Sequence, residues 1–229
     1  MTLASVAVNG IIKTWTQIVC KIDAGELSKV PAKGPLIIIS NHVNFLEAPV
    51  LYTHLLPRDL TALAKSESWE NAFKRFLFNI WKIIPIRRGE ADMSAYRASL
   101  DALKEGKILI IAPEGTRSFD GKLQIGLPGS AMIAVKSGAT ILPVAFWGAE
   151  NFWENFKRFK RTPFHVRVGE PFKINLPTNG LNKENRQDVM NECMYQLASL
   201  IPEEYRGIYA DFSKKTTRYL TFMDEAGIQ

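Results

Sequence analysis

Short apolar runs recur along the chain, each broken by a polar cluster, and the stretches between them carry apolar residues at helical spacing. Pro35–Ser40, Leu60–Ala64, Ile83–Arg87, Lys107–Ala112, Thr140–Phe146 and Phe164–Val168 read as strands. Helical periodicity runs from near Asn44 to Leu56, over Ser68–Trp81, Ser94–Glu105 and Gly129–Ser137, and from about Lys183 to Leu200. Gly106, Gly138 and Pro202 supply stops. Strands alternating with helices predict an α/β fold: a mixed, largely parallel sheet flanked by helices. At the N-terminus Val8, Ile11, Ile12, Trp15, Ile18, Val19 and Ile22 fall on one helical stripe, with Asn9, Lys13, Thr16 and Gln17 mostly opposite. That stripe suits a helix packed on the domain or one lying in a membrane interface. The uncharged run ends at Lys13, short of the ~20 residues needed to cross a bilayer. No transmembrane span is expected, and no basic n-region marks a secretory signal. Residues 1–30 are therefore read as an amphipathic helical segment and 31–229 as one domain without repeats or linkers.

Composition supports a globular chain: 229 residues, 46% apolar and 23% charged, exclude disorder and fibrous repeats. Cys20 and Cys193 are too few for a disulfide scaffold or a zinc site, and a reducing compartment is the default. The net charge of +6 points to an anionic partner: nucleic acid, a phospholipid surface or a phosphorylated substrate. That excess is local, with +4 in residues 65–88 and +3 in 150–168, leaving −1 elsewhere. Both stretches are threaded with aromatics. Trp69, Phe73, Phe76, Leu77, Ile80 and Trp81 share one helical face; Phe152, Phe156 and Phe159 recur beside basic residues. Such stripes suit core packing with solvated flanks, or docking on anionic lipid. On the second reading Trp153, Phe156, Lys157, Arg158, Lys160 and Arg161 face the membrane.

The chain lacks a G-x-S-x-G elbow, a P-loop and a G-x-G-x-x-G turn. His42, His54 and His165 are not at metal-ligand spacing, so no metal site is expected, and His54 and His165 read as structural. His42 follows a buried strand, with Glu47 five positions on. A carboxylate in the first turn of the next helix can reach back to the imidazole, hold one ring nitrogen as N–H and leave the other as acceptor. A purely structural pair fits the same spacing. Pro113-Glu114-Gly115-Thr116-Arg117-Ser118 also follows a strand, and Arg offers a planar fork for phosphate. Arg87-Arg88 ends a third strand. One base and up to three cations at strand ends suit a phosphate-bearing hydroxyl substrate.

These blocks, in this order, resemble the glycerolipid acyltransferase family, especially bacterial 1-acyl-sn-glycerol-3-phosphate acyltransferases. The resemblance covers about residues 35–210: Asn41-His42 to Glu47, Ile84-Pro85-Ile86-Arg87-Arg88, the Glu114–Ser118 loop with Pro128-Gly129, and the Ile141–Ala145 strand. The tail Leu200–Gly207 is also similar to bacterial members. Four positions depart from the family pattern: Glu47 where Asp is usual, Lys82 where Gly often stands, and Gly126-Leu127 in place of Phe-Lys. The resemblance implies a glycerol-3-phosphate acyltransferase-like fold, with 31–229 as the acyltransferase domain. It implies His42 as general base, Glu47 as its orienting acid, and Arg117, then Arg88 and Arg87, as phosphate-binding residues. Glu114, Gly115 and Thr116 would shape the loop. The implied reaction moves a fatty acyl group from an acyl-CoA or acyl carrier protein thioester to a lysophospholipid, foremost lysophosphatidate. No cofactor is implied, and the location is peripheral, on the cytoplasmic side of a membrane. The alternatives are another lysolipid or lipid-linked alcohol as acceptor, a non-catalytic anionic-lipid binder, or a nucleic-acid binder, the last not expected.

Overall fold

The apolar runs become the strands of one sheet. In the computed structural model, which describes residues 3–87, 89, 91–176 and 180–223, α1 (Leu3–Val19) and β1 (Cys20–Asp23) lead into β2 (Leu36–Ser40), α2 (Glu47–His54) and β3 (Leu60–Lys65). There follow α3 (Ala72–Ile80), β4 (Ile84–Ile86), α4 (Met93–Lys104), β5 (Ile108–Ile111) and α5 (Gly129–Ser137). The chain ends with β6 (Thr140–Trp147), α6 (Phe152–Lys157), β7 (Thr162–Val168), β8 (Phe172–Ile174), α7 (Arg186–Ala198) and β9 (Leu220–Phe222). The sheet runs β1-β7-β6-β2-β5-β3-β4, with β8 also on β6 and β9 on β8. Strand β2 pairs in parallel with β5 and β6, and β3 in parallel with β5 and β4. The β6–β7, β6–β8 and β8–β9 pairs are antiparallel. The sheet is mixed and mostly parallel, as the alternation predicts.

Every residue of β2 and β5 is buried, because helices cover both faces. Leu36, Ile38, Ile108, Ile110 and Val144 face the layer of α1, α2, α3 and α6; Ile37, Ile39, Leu109 and Ile111 face α5 and α7. Each such side chain contributes roughly 1.5–3 kcal/mol by leaving water. The parallel block brings the carboxyl ends of β2, β3, β4, β5 and β6 to one edge, where loops can assemble a site.

The N-terminal helix turns a different side inward from the one its stripe predicts. Asn9 and Thr16 are buried, while Ile11 is 69% and Ile18 65% exposed, alongside Leu3, Val6 and Trp15. Ile12 and Val19 of the stripe still pack against the core, and polar partners explain why Asn9 and Thr16 join them. Asn9 Oδ1 accepts from Trp81 Nε1 (2.9 Å), its amide donates to Ser5 O (2.9 Å), and Thr16 Oγ1 donates to Lys13 O (2.9 Å). The helix also ends before Ile22, which lies in β1, paired in parallel with β7. Arg161 closes that end, donating to Gln17 O (2.8 Å) and Cys20 O (2.7 Å).

The helix expected over Ser68–Trp81 divides into a 3-10 turn (Ser66–Glu70) and α3. Asn71 causes the break, since its side chain caps α3 by accepting from Lys74 N–H (3.0 Å). After α3, Lys82 takes a left-handed φ of 51° to turn the chain into β4.

Candidate active site

His42 lies two residues beyond β2, and its main chain is held from both sides. Its N–H donates to Glu114 Oε1 (3.0 Å), and its carbonyl accepts from Ser118 N–H (2.8 Å). The loop after β5 thus clamps the loop after β2. Asn41, just before, fixes the neighbouring strand: its side chain donates to Phe146 O (2.7 Å) and accepts from Phe146 N–H (2.8 Å). Asn44 donates to Ala149 O (2.8 Å) and accepts from Leu46 N–H (2.7 Å), which starts the turn into α2.

The first residue of α2 is Glu47, and it is buried. Its Oε2 stands 3.0 Å from His42 Nδ1, and its Oε1 accepts from Asn44 N–H (2.8 Å). With Glu47 as a carboxylate, Nδ1 carries the proton and Nε2 is left as the acceptor. Nε2 faces the Nε of Arg117 at 3.4 Å. Arg117 Nε–H is the donor in that long contact, so an acceptor hydroxyl takes its place on Nε2 as the guanidinium turns to an anionic group. The partly exposed imidazole can then accept the proton.

Glu114 is the buried carboxylate that ties this arrangement together. Besides His42 N–H, it accepts from Gln124 N–H through Oε2 (2.9 Å). Burial pushes its pKa up to about 7, against the lowering effect of those two bonds. Gly115 has φ 67°, and a Cβ there would lie 2.9 Å from Leu127 Cδ1, so the residue in the Phe-Lys position of the family pattern rests on this loop.

Arg87 is placed differently. It ends β4, three strands from β2, about 14 Å at ~4.8 Å per strand. There it pairs with Asp92 (3.7 Å), whose carboxylate also caps α4. Arg88 lies outside the described residues. Among the membrane-facing candidates, Trp153, Phe156, Lys157, Arg158 and Lys160 are exposed. Arg161 is exposed too, but its guanidinium is committed to the end of α1. Trp153 packs on Phe45 (5.6 Å), three residues past His42, and Phe152 joins Phe45 (5.2 Å) to Trp15 (6.2 Å). The aromatic surface therefore reaches the site.

Comparison with known proteins gives the family and the fold. A family model described as Acyltransferase matches residues 21–147. The 1-acyl-sn-glycerol-3-phosphate acyltransferase of Borreliella burgdorferi is 30% identical over 136 residues, covering 58% of this chain and 54% of that protein. A lyso-ornithine lipid O-acyltransferase of Pseudomonas aeruginosa is 27% identical over 66% of this chain and 63% of that one. The chain spans about half the length of the first curated relatives it matches. The crystal structure of the 1-acyl-sn-glycerophosphate acyltransferase from Thermotoga maritima shares the fold, with a TM-score of 0.60 at 24% identity over 83% of this chain and 78% of that one.

Proposed function

The chain belongs to the acyltransferase family, and from that premise we propose that it moves an acyl group from an acyl thioester to the free hydroxyl of a lysophospholipid, foremost lysophosphatidate. The observation that carries the reading is the His42 ring, with Nδ1 on Glu47 and Nε2 turned toward Arg117. Nε2 takes the hydroxyl proton as the acceptor oxygen bonds to the thioester carbonyl. The tetrahedral intermediate then collapses, the C–S bond breaks, and the thiolate leaves with the proton from the imidazolium. Base catalysis of this kind supplies ~10²–10⁴-fold. Glu47 keeps the tautomer and steadies the imidazolium, while Arg117 binds the acceptor phosphate. Arg88 and Arg87 are further cations for the same headgroup. Acyl-CoA or an acyl carrier protein thioester serves as co-substrate, and no cofactor takes part.

A second acceptor class has its own support. Leu127 sits on Gly115 where a lysine would add charge, Arg87 is paired with Asp92, and one relative is named for lyso-ornithine lipid. A headgroup less anionic than a phosphate monoester suits that arrangement. Acyl transfer measured on a panel of lysolipids with both thioester donors decides between them. His42→Ala should lose at least ~100-fold in kcat; wild-type turnover in that variant would overturn the mechanism.

The same chain docks peripherally, in this reading on the cytoplasmic side of a membrane; no described helix is long and apolar enough to cross one. The exposed side of α1 and the aromatics of α6 would enter the interface, with Lys157, Arg158 and Lys160 meeting anionic headgroups.

A further inference from the structure

The loop that carries Arg117 is closed at its base by Leu127 N–H donating to Pro113 O (2.8 Å). One residue before that closure, both main-chain groups of Gly126 are gripped from outside the loop. Its N–H donates to the hydroxyl of Tyr209 (3.1 Å), and its carbonyl accepts from Gln187 Nε2 (3.0 Å). The two grips are joined, because Tyr209 Oη donates to Asn191 Oδ1 (3.1 Å), and Gln187 Nε2 also donates to Asn191 Oδ1 (3.1 Å). The result is a closed ring of hydrogen bonds from Gly126 through Tyr209, Asn191 and Gln187 back to Gly126. Tyr209 is 3% exposed, and its ring is set edge-on against Tyr195 (5.2 Å, 82°).

A second grip lies upstream. Leu123 N–H donates to Tyr205 O (2.9 Å), and a Cβ on Gly207 would lie 2.2 Å from Leu123 O. Inside the loop the path to the chemistry is short. Gln124 N–H donates to Glu114, which accepts from His42 N–H, and Ser118 donates to His42 O. The tail around Tyr205–Tyr209 and the first turns of α7 therefore set where Arg117 stands relative to the His42 ring.

We propose that Tyr209 is a positioning residue for the transfer reaction, acting through Gly126 and the Pro113–Leu127 loop on Arg117 and His42. This rests on reading His42 and Arg117 as the acyl-transfer site. Removing the hydroxyl leaves a buried N–H and one Asn191 lone pair without a partner, and the loop loosens at its base. Arg117 acts on the bound acceptor, so loosening raises the acceptor KM more than it lowers kcat.

The test uses the full chain. Tyr209→Phe, with Gln187→Met as a second break in the same ring, is compared with wild type by steady-state kinetics and by amide hydrogen exchange. The expected result is faster exchange at residues 114–127, with the rest of the sheet unchanged, and an acceptor KM raised about five-fold with kcat within about two-fold, the order of effect of one lost buried hydrogen bond. The two variants combined should do little more than either alone, since they open one ring. Exchange in the loop needs no substrate. Unchanged exchange in both variants overturns the proposal, as does faster exchange with unaltered KM and kcat. If the wild-type protein transfers no acyl group to any lysolipid, faster exchange in the two variants would still support the grip on the loop and count against the acyl-transfer reading alone.

Discussion

At the scale of single residues, the longer acid at position 47 has a use that aspartate could not copy from the same backbone. Its two oxygens are both engaged, one on the His42 ring and one on Asn44 N–H. Glu47→Asp, one methylene shorter, is expected to give up one of these bonds and lower kcat about ten-fold, with the acceptor KM little changed; activity equal to wild type would show that α2 simply shifts to compensate. Glu114 makes a pH-dependent prediction. Its folded pKa, about 7 against an ordinary 4.5, means the folded state holds a proton between those values that the unfolded state has released. Stability from this group is full below about pH 4.5 and declines as pH rises toward 7. Glu114→Gln lacks that titration, so its unfolding free energy relative to wild type should climb by about 3 kcal/mol between pH 4.5 and 8. A flat difference in denaturant titrations across that range would refute it. His42, Glu47, Glu114 and Arg117 were legible because each sits just past a strand, with partners close in sequence or carried by the next strand. Tyr209 and Gln187 were not, because they meet Gly126 only after segments 61 to 83 residues apart have folded together, and Asn191 reaches it only through them.

At the scale of elements, the central strands and the helices after them follow directly from apolar runs and stops. The short strands β1, β8 and β9 carry too few residues for a period of two to register, and pairing with β7, β6 and β8 respectively decides them. The stripe on α1 divides, with Ile12 and Val19 packed on the core and Ile11 and Ile18 exposed, for a physical reason. Hydrophobicity alone cannot rank Asn9 or Thr16 above Ile11 and Ile18 as core residues, but hydrogen bonds to Trp81 and to the helix backbone make that burial favourable. Lys82 shows the reverse case, a departure from the family pattern explained by backbone geometry. Its φ of 51° is cheap for glycine and costs an L-residue about 1 kcal/mol. Lys82→Gly, exposed and at the end of α3, should therefore raise the unfolding free energy by roughly 0.5–1 kcal/mol, read from chemical denaturation midpoints at constant slope.

At the scale of the whole molecule, the helices share apolar exposure unevenly, while Phe119, Ile125, Leu127, Ile208, Phe212 and Phe222 are exposed on the loops and the C-terminal segment. Helices α1, α3 and α6 and the turn after α6 expose Leu3, Val6, Ile11, Trp15, Ile18, Phe73, Phe76, Trp153, Phe156 and Phe159, whereas α4 and α5 expose Met93 and Met132. Phe159 is fully exposed at a left-handed φ of 53°, beside Arg158 and Lys160. An aromatic held in that conformation with no protein contact suits insertion into an apolar phase. The triple variant Trp153→Ala/Phe156→Ala/Phe159→Ala should bind anionic vesicles at least ten-fold more weakly while melting within a few degrees of wild type. Wild-type binding should fall with added salt; equal binding to neutral vesicles would remove the electrostatic part of the account. The grip of residues 205–209 on the Arg117 loop has a consequence in time. Residues 113–127 are synthesised before Tyr205–Tyr209, so the loop leaves the ribosome without the segment that clasps it. Its base is fastened only once that later stretch has folded against it.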